Sequence, residues 1–366
     1  MVASTTSLPR PTGEPQRSLK GVEGEEYALS PVSWLSSHLG LPDWLLRPIL
    51  APLVYPGLLA FMPVALFIIW AERKVTARVQ MRVGPLYVSR RLGGVLQLLA
   101  DGVRIAFQEV IVPETAEKYS FMLAPIAAFS LVAATFTVVP GGPGVYGFDS
   151  NISLLIAYAL ISLSPIVTVV MGWASNNKFS QIGAGREIIV SIAGEVTLLA
   201  SLLAAAMMYG SMSFNAIVEA QNDAGIPGIV ANPVAALLFF IAVLLITDRV
   251  PFDLVLGEQE IVQGPYTEYT GILFALTMAL DYAKLYVLML MFTNVFLGGW
   301  MPFNTPLIGS LCVFTKTLVL MLISVFLRSV YGRMRLDQVA YLFWARLLPL
   351  ALAAFSLSAV MHFLYR

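Results

Sequence analysis

The chain has 366 residues, of which 58% are hydrophobic and only 12% charged, and its 22 basic and 22 acidic side chains cancel. No basic run is interleaved with exposed-type aromatics, so nothing in the composition points to a nucleic-acid surface. A single cysteine (Cys312) and two histidines near opposite ends (His38 and His362) exclude a disulfide, a zinc site, an iron–sulfur cluster or a paired-histidine haem built from this chain alone. With no phosphate-cradling glycine loop either, no bound metal, flavin or haem is expected in it.

Residues 1–46 are rich in Ser, Pro, Gly and Glu and lack the apolar core of a signal peptide. Their acids, from Glu14 to Glu26, are foreign to an acid-poor transit peptide, and a flexible polar extension is expected. Residues 47–366 read as a polytopic membrane domain. About 20 helical residues cross a hydrocarbon core of roughly 30 Å, and backbone groups left in lipid must pair within a helix. Eight spans are predicted: Leu50–Trp70, Phe121–Val139, Ile152–Trp173, Ile188–Tyr209, Pro233–Thr247, Tyr269–Phe296, Leu307–Val330 and Leu342–Leu364. The fold class is therefore an all-α membrane protein, with about eight transmembrane helices and an amphipathic helix on the cytoplasmic side.

The connections alternate in charge. Those after the first, third, fifth and seventh spans carry fifteen Lys and Arg, counting those just inside the flanking spans, and those after the second, fourth and sixth carry none. Positive loops stay inside, so the odd-numbered connections are expected in the cytoplasm and both termini outside. Within the first connection, at about residues 94–109, Gln97, Asp101, Arg104 and Gln108 recur at helical offsets and form one polar stripe. Leu96, Leu98, Leu99, Val103, Ile105 and Phe107 cover the remaining surface. This is the pattern of a helix lying in the membrane interface, either simply resting there or forming a doorway for an amphiphile.

The connection after the fifth span, about residues 248–268, is unusual for its acids: Asp248, Asp253, Glu258, Glu260 and Glu268, against one base, Arg249. Carboxylates held close together have separated pKa values, and Asp253, Glu258, Glu260 and Glu268 can store protons near neutral pH; the plainer reading is an acidic rim that docks a basic partner. Inside the spans, Glu195, Asp281, Lys284 and Lys316 each cost about 2.5–3.5 kcal/mol at a helix centre on insertion scales. Glu195 has no local partner and suggests protonation chemistry. Asp281 and Lys284, three residues apart, share a helix face and read equally as a self-neutralising pair. Lys316 is expected to find a partner on another helix.

At this point several motifs fall into register. Glu72-Arg73-Lys74-Val75 runs on to Arg78, Gln80, Arg82, Gly84 and Pro85; Ala174 to Phe179 leads to Arg186 and Glu195; Arg249 is followed by Pro251-Phe252-Asp253-Leu254, Glu258, Glu260, Gly264 and Thr267-Glu268-Tyr269. Leu297-Gly298-Gly299-Trp300 and Arg333, Arg335, Asp337-Gln338 follow in order. Over about residues 50–366 the chain resembles the membrane subunit at the heel of respiratory complex I, its H-type subunit. The resemblance implies a quinone (ubiquinone, menaquinone or plastoquinone) as substrate, taken from the bilayer into a chamber roofed by peripheral-arm iron–sulfur and quinone-site subunits. Small neighbouring and antiporter-like membrane subunits complete the implied assembly, in an energy-transducing membrane such as the prokaryotic inner membrane. It places Glu72, Arg73, Lys74, Arg78, Arg82, Arg249 and Asp253 at the chamber and its interface, and Glu195, Glu258, Glu260, Glu268, Asp281 and Lys284 on a proton path.

The chain also departs from the family pattern. Ile246 stands where the family commonly has a Glu, Val255-Leu256 where it has Pro-Glu, and Gly194 where it has an aromatic; Leu86 to Arg91 lacks the usual loop sequence. Two further readings are open: the membrane anchor of an energy-converting hydrogenase, and a stand-alone ion-coupled transporter using Glu195, Asp281 and Lys284. The absence of an inverted repeat between the halves counts against the transporter.

Overall fold

The computed structural model describes residues 43–86 and 93–365. The predicted extension lies outside the described residues except for its last four, which open the first helix. Leu86 is described, but the rest of the divergent stretch that follows it, 87–91, is outside as well. The described chain is helical, with no strand among its residues.

In chain order the helices are α1 (Asp43–Leu53), α2 (Leu58–Val79), α3 (Leu96–Ala106), α4 (Lys118–Thr135), α5 (Ser153–Ala174), α6 (Lys178–Tyr209), α7 (Phe214–Ala224), α8 (Pro233–Ile246), α9 (Gly271–Phe296), α10 (Pro306–Val330) and α11 (Leu336–Phe363). α1 and α2 are halves of one span broken at Pro56-Gly57. A Cβ on Gly57 would lie 1.9 Å from the Pro52 carbonyl oxygen, so only glycine fits the break.

Among the described residues, seven helical segments are long and apolar enough to cross a membrane; the predicted fifth span is the exception. α8 has 14 residues, about 21 Å of helix against a core of roughly 30 Å. It need not face lipid along its length, because it packs among α6, α9 and α11 and most of its side chains are buried. α9 is the central post. Every residue from Ala283 to Phe296 is buried, which explains why this helix is apolar on all sides rather than amphipathic.

The connections sort to two ends. At one end, Arg249 reaches Glu72, Arg186 reaches Glu260, and the Met334 amide donates to Pro251 at 2.9 Å. At the other, the Tyr55 hydroxyl lies 3.0 and 2.9 Å from the Gly141 and Ser310 carbonyls, and Asn294 donates to Pro140 at 2.9 Å. The odd connections therefore share one end and the even connections the other, as an alternating bundle requires. Lys316 does find a partner outside its own helix, but a backbone one. Its ammonium donates to the carbonyls of Leu297, Gly299 and Met301 at 2.7, 2.9 and 2.8 Å, closing the turn after α9.

The predicted amphipathic helix forms as α3, with Asp101 of its polar stripe paired to Arg73 at 2.9 Å. The acidic connection is folded inward. Phe252 packs edge-on against Phe343, at 5.6 Å, in a π-helical turn of α11 (Leu342–Leu347), and Tyr269 stacks on Phe121 at 4.2 Å. Burying these rings anchors both ends of the loop and aims its polar groups at the neighbouring helices.

Candidate functional site: an arginine-lined cavity beside buried acids

At the odd-connection end, a cavity of about 630 Å³ opens between α2, α3, α9 and α10. Its walls include Glu72, Arg73, Thr76, Gln80, Arg82, Gln97, Tyr282 and Arg328. Glu72, on the last turns of α2, is the focus. Its carboxylate oxygens lie 3.0 and 2.9 Å from one nitrogen of Arg249, and Arg328 forms a second ion pair with it. The Tyr282 hydroxyl donates to Glu72 Oε2 at 2.8 Å, while the Tyr282 ring lies 4.5 Å below the Arg249 guanidinium. Glu72 and Arg249 are 6% and 5% exposed; in that setting a charge is tolerated only when paired and hydrogen-bonded. Two guanidiniums share one carboxylate, so the knot presents a net positive charge to the cavity. Arg82 adds to it from the exposed rim.

Behind this knot lies a second set of groups. Glu187 of α6 and Asp281 and Lys284 of α9 are buried, at 4%, 7% and 1% exposure. The Tyr266 hydroxyl donates to Asp281 Oδ1 at 3.2 Å. Asp248, just past α8, has an enclosed Oδ1 with no hydrogen-bond partner among the described residues. Burial pushes its carboxyl well above the usual aspartate range, the charges of Glu187 and Asp281 push further, Lys284 opposes, and Asp253 adds a smaller push. Burial and then the charges of Asp281, Glu187 and Asp248 likewise hold the Tyr266 phenol protonated. This is the arrangement in which carboxylic acids hold protons at neutral pH.

The remaining predicted residues divide. Asp253 is half-buried and its charge is felt at Asp248. Glu195, two turns beyond Glu187 on α6, is half-buried and within electrostatic reach of Glu187 and Lys284. Glu268 accepts from Asn177, whose own Oδ1 caps α6 by accepting from the Phe179 amide at 2.8 Å. Glu260 is exposed and clamped by Arg186 at 2.6 Å and Arg333 at 3.7 Å. The hydrogen bond from Arg186 and the charge of Arg333 hold its carboxyl below the usual range, so it stays ionised at neutral pH and joins three connections. Lys74 donates to the Pro85 and Gly93 carbonyls at 3.3 and 3.4 Å and ties down the start of α3's connection. Arg78 is exposed and lies outside the cavity wall. The side chain of Glu258 lies outside the described residues.

Among the groups that make the site's polar contacts, five are absent from the predicted set: Glu187, Asp248, Tyr266, Tyr282 and Arg328. Asn177 is the signal that would have found Glu187. As an N-cap it starts α6 at Lys178, ten residues before the predicted span, and brings Glu187 inside the helix at eight residues from Glu195. The departures at Gly194 and Ile246 meet one another. A Cβ on Gly194 would lie 3.0 Å from Ile246 Cγ1, so α6 and α8 are in close apolar contact beside Glu195.

The family model described as NADH dehydrogenase matches residues 53–359, which take in the whole of this site. The chain belongs to the NADH dehydrogenase family. Within it, the chain is similar to the H-type subunit of the NADH-quinone oxidoreductase of Carboxydothermus hydrogenoformans, 37% identical over 89% of this chain and 96% of that protein. It is 37% identical to the corresponding NADH-quinone oxidoreductase subunit of Dehalococcoides mccartyi over 80% of this chain and 81% of that one. For the same subunit of Chlorobaculum parvum the identity is 33%, over 84% and 90%. As a member of the NADH dehydrogenase family with seven long apolar helices, the chain is a multi-pass membrane protein of the H type found in complex I.

Proposed function

We propose that this chain forms the membrane wall of the quinone site in a complex I-type NADH-quinone oxidoreductase and couples quinone reduction to proton translocation. The observation that carries the reading is the adjacency of the two sets of groups, with Tyr282 of the knot following the buried Asp281 directly on α9. A cavity at the expected membrane surface, of the size that holds a ligand headgroup, is separated by the single knot Glu72–Arg249–Tyr282 from a buried store of carboxyls. Family membership supports it, because the relatives' names state quinone oxidoreduction.

The chemistry follows from the charges. Quinone gains two electrons and two protons to become quinol, with the electrons arriving from an iron–sulfur partner subunit. A doubly reduced, unprotonated headgroup against a low-dielectric wall is strongly unfavourable. The positive knot lowers that cost by attracting the developing negative charge. The headgroup enters past α3, whose apolar side is suited to an isoprenoid tail. Asp253, Asp248, Asp281 and Glu187 respond as protons are drawn toward the reduced headgroup, and Glu195 continues the route into the bilayer toward antiporter-like neighbours. Glu260 and Glu268 hold the connections that dock the peripheral arm. The odd connections face the cytoplasm in this reading and both termini face out.

Arg82→Ala tests the chamber, because Arg82 is exposed on the cavity rim, where its loss leaves the buried pairs intact. In the intact purified complex the KM for a short-chain quinone is expected to rise about fivefold, with the complement of subunits unchanged. An unchanged KM would remove Arg82 from the quinone's surroundings. Electron transfer to quinone that persists in a complex lacking this chain would sink the wider reading.

A further inference from the structure

We infer that Tyr282 is the positioning residue through which the occupied cavity acts on the buried acids. The inference rests on the quinone-chamber reading and names the side chain that links its two halves. Among the residues lining the cavity, Tyr282 makes three connections at once. Its ring forms part of the wall. Its hydroxyl donates to Glu72 Oε2 at 2.8 Å. Its face lies 4.5 Å from the Arg249 guanidinium carbon. A cation over an aromatic face is attracted to it, and more strongly where water is excluded; Arg249 is only 5% exposed. The phenol therefore fixes both members of the Glu72–Arg249 pair, one by its oxygen and one by its ring.

The same residue sits on the turn of α9 that carries the acids' charged members. Asp281 precedes Tyr282 directly and Lys284 follows two residues later, both buried. A ligand that draws on Glu72, Arg249 or Arg328 pulls on the Tyr282 hydroxyl. That hydroxyl is rigidly attached to the helical turn that presents Asp281 to Tyr266 and carries the buried Lys284. The route from the cavity through Arg249 depends on a long, flexible side chain. Tyrosine, with two rotatable bonds and a planar ring, transmits a displacement that a long arginine absorbs.

The test uses the intact complex. Tyr282→Phe removes one oxygen and keeps the ring over Arg249. The variant and the unaltered protein are measured for short-chain quinone KM and kcat and for protons translocated per electron in proteoliposomes. Tyr282→Phe is expected to assemble normally, to raise KM about fivefold and to lower the proton yield by about half. A Phe variant with wild-type KM and wild-type proton yield, in a preparation where Arg82→Ala raises KM, would overturn the role of Tyr282 while leaving the chamber in place. If neither variant altered quinone kinetics, the chamber reading itself would fail. Loss of assembly in Tyr282→Phe would make the hydroxyl a structural group and would equally overturn the inference.

Discussion

Replacing Glu72 with Gln is expected to cut kcat/KM for quinone about 100-fold in a complex that still assembles. Gln keeps the volume and one carbonyl acceptor but removes the negative charge that Arg249 and Arg328 share. Breaking a buried pair by deleting one member costs about 3–5 kcal/mol, because the other charge is left uncompensated. Arg328 is 40% exposed and can turn to water, so that stability cost falls at the lower end and the complex still assembles; on the reaction itself, disordering one preorganised electrostatic group costs about 100-fold in rate. The check is quinone-dependent NADH oxidation normalised to complex content. Activity within threefold of wild type at normal content would show that the knot does not shape the chamber.

The second large effect is expected at Glu187. It is the buried acid on α6 whose charge acts on Asp248, on Tyr266 and on Glu195. It lies on the same helix as Glu195, eight residues earlier. Beside Glu195, Ile246 packs against Gly194 and offers nothing that can carry a proton. Glu187→Gln preserves shape and removes the titratable group. The proton yield per electron is expected to fall by at least about half and quinone turnover to slow about tenfold. Dye-quench measurement of proton uptake against quinone reduction in the same vesicles reads both. A normal yield in Glu187→Gln, with Glu195→Gln impaired, would show that the route to Glu195 bypasses Glu187.

What the sequence made legible follows from the range of each interaction. Membrane spans announce themselves locally, so seven of the eight appear as long helices near their expected places, and α8 was already too short to cross unaided. α3 was legible from its period alone. The site was legible only in part, since its contacts span great distances along the chain. Glu72 meets Arg249 across 177 residues and Tyr282 across 210. Tyr282 looks like one more aromatic on an apolar helix, and Arg328 like one more topology-setting arginine, until α2, α9 and α10 are brought together. Asp248 could be counted as an acid but not as an enclosed one. Glu260 is legible as an acid, but the two arginines that clamp it at the surface come from other connections, distant along the chain.

If the cavity walled by Glu72, Arg82, Gln97, Tyr282 and Arg328 receives the quinone headgroup, photo-crosslinking of the intact complex with a short-tailed azidoquinone, followed by peptide mapping, is expected to give adducts on this chain between Ile69 and Gln97 or near Tyr282 and Arg328, suppressed by excess quinone. Adducts confined to other subunits, or insensitive to that competition, would contradict it.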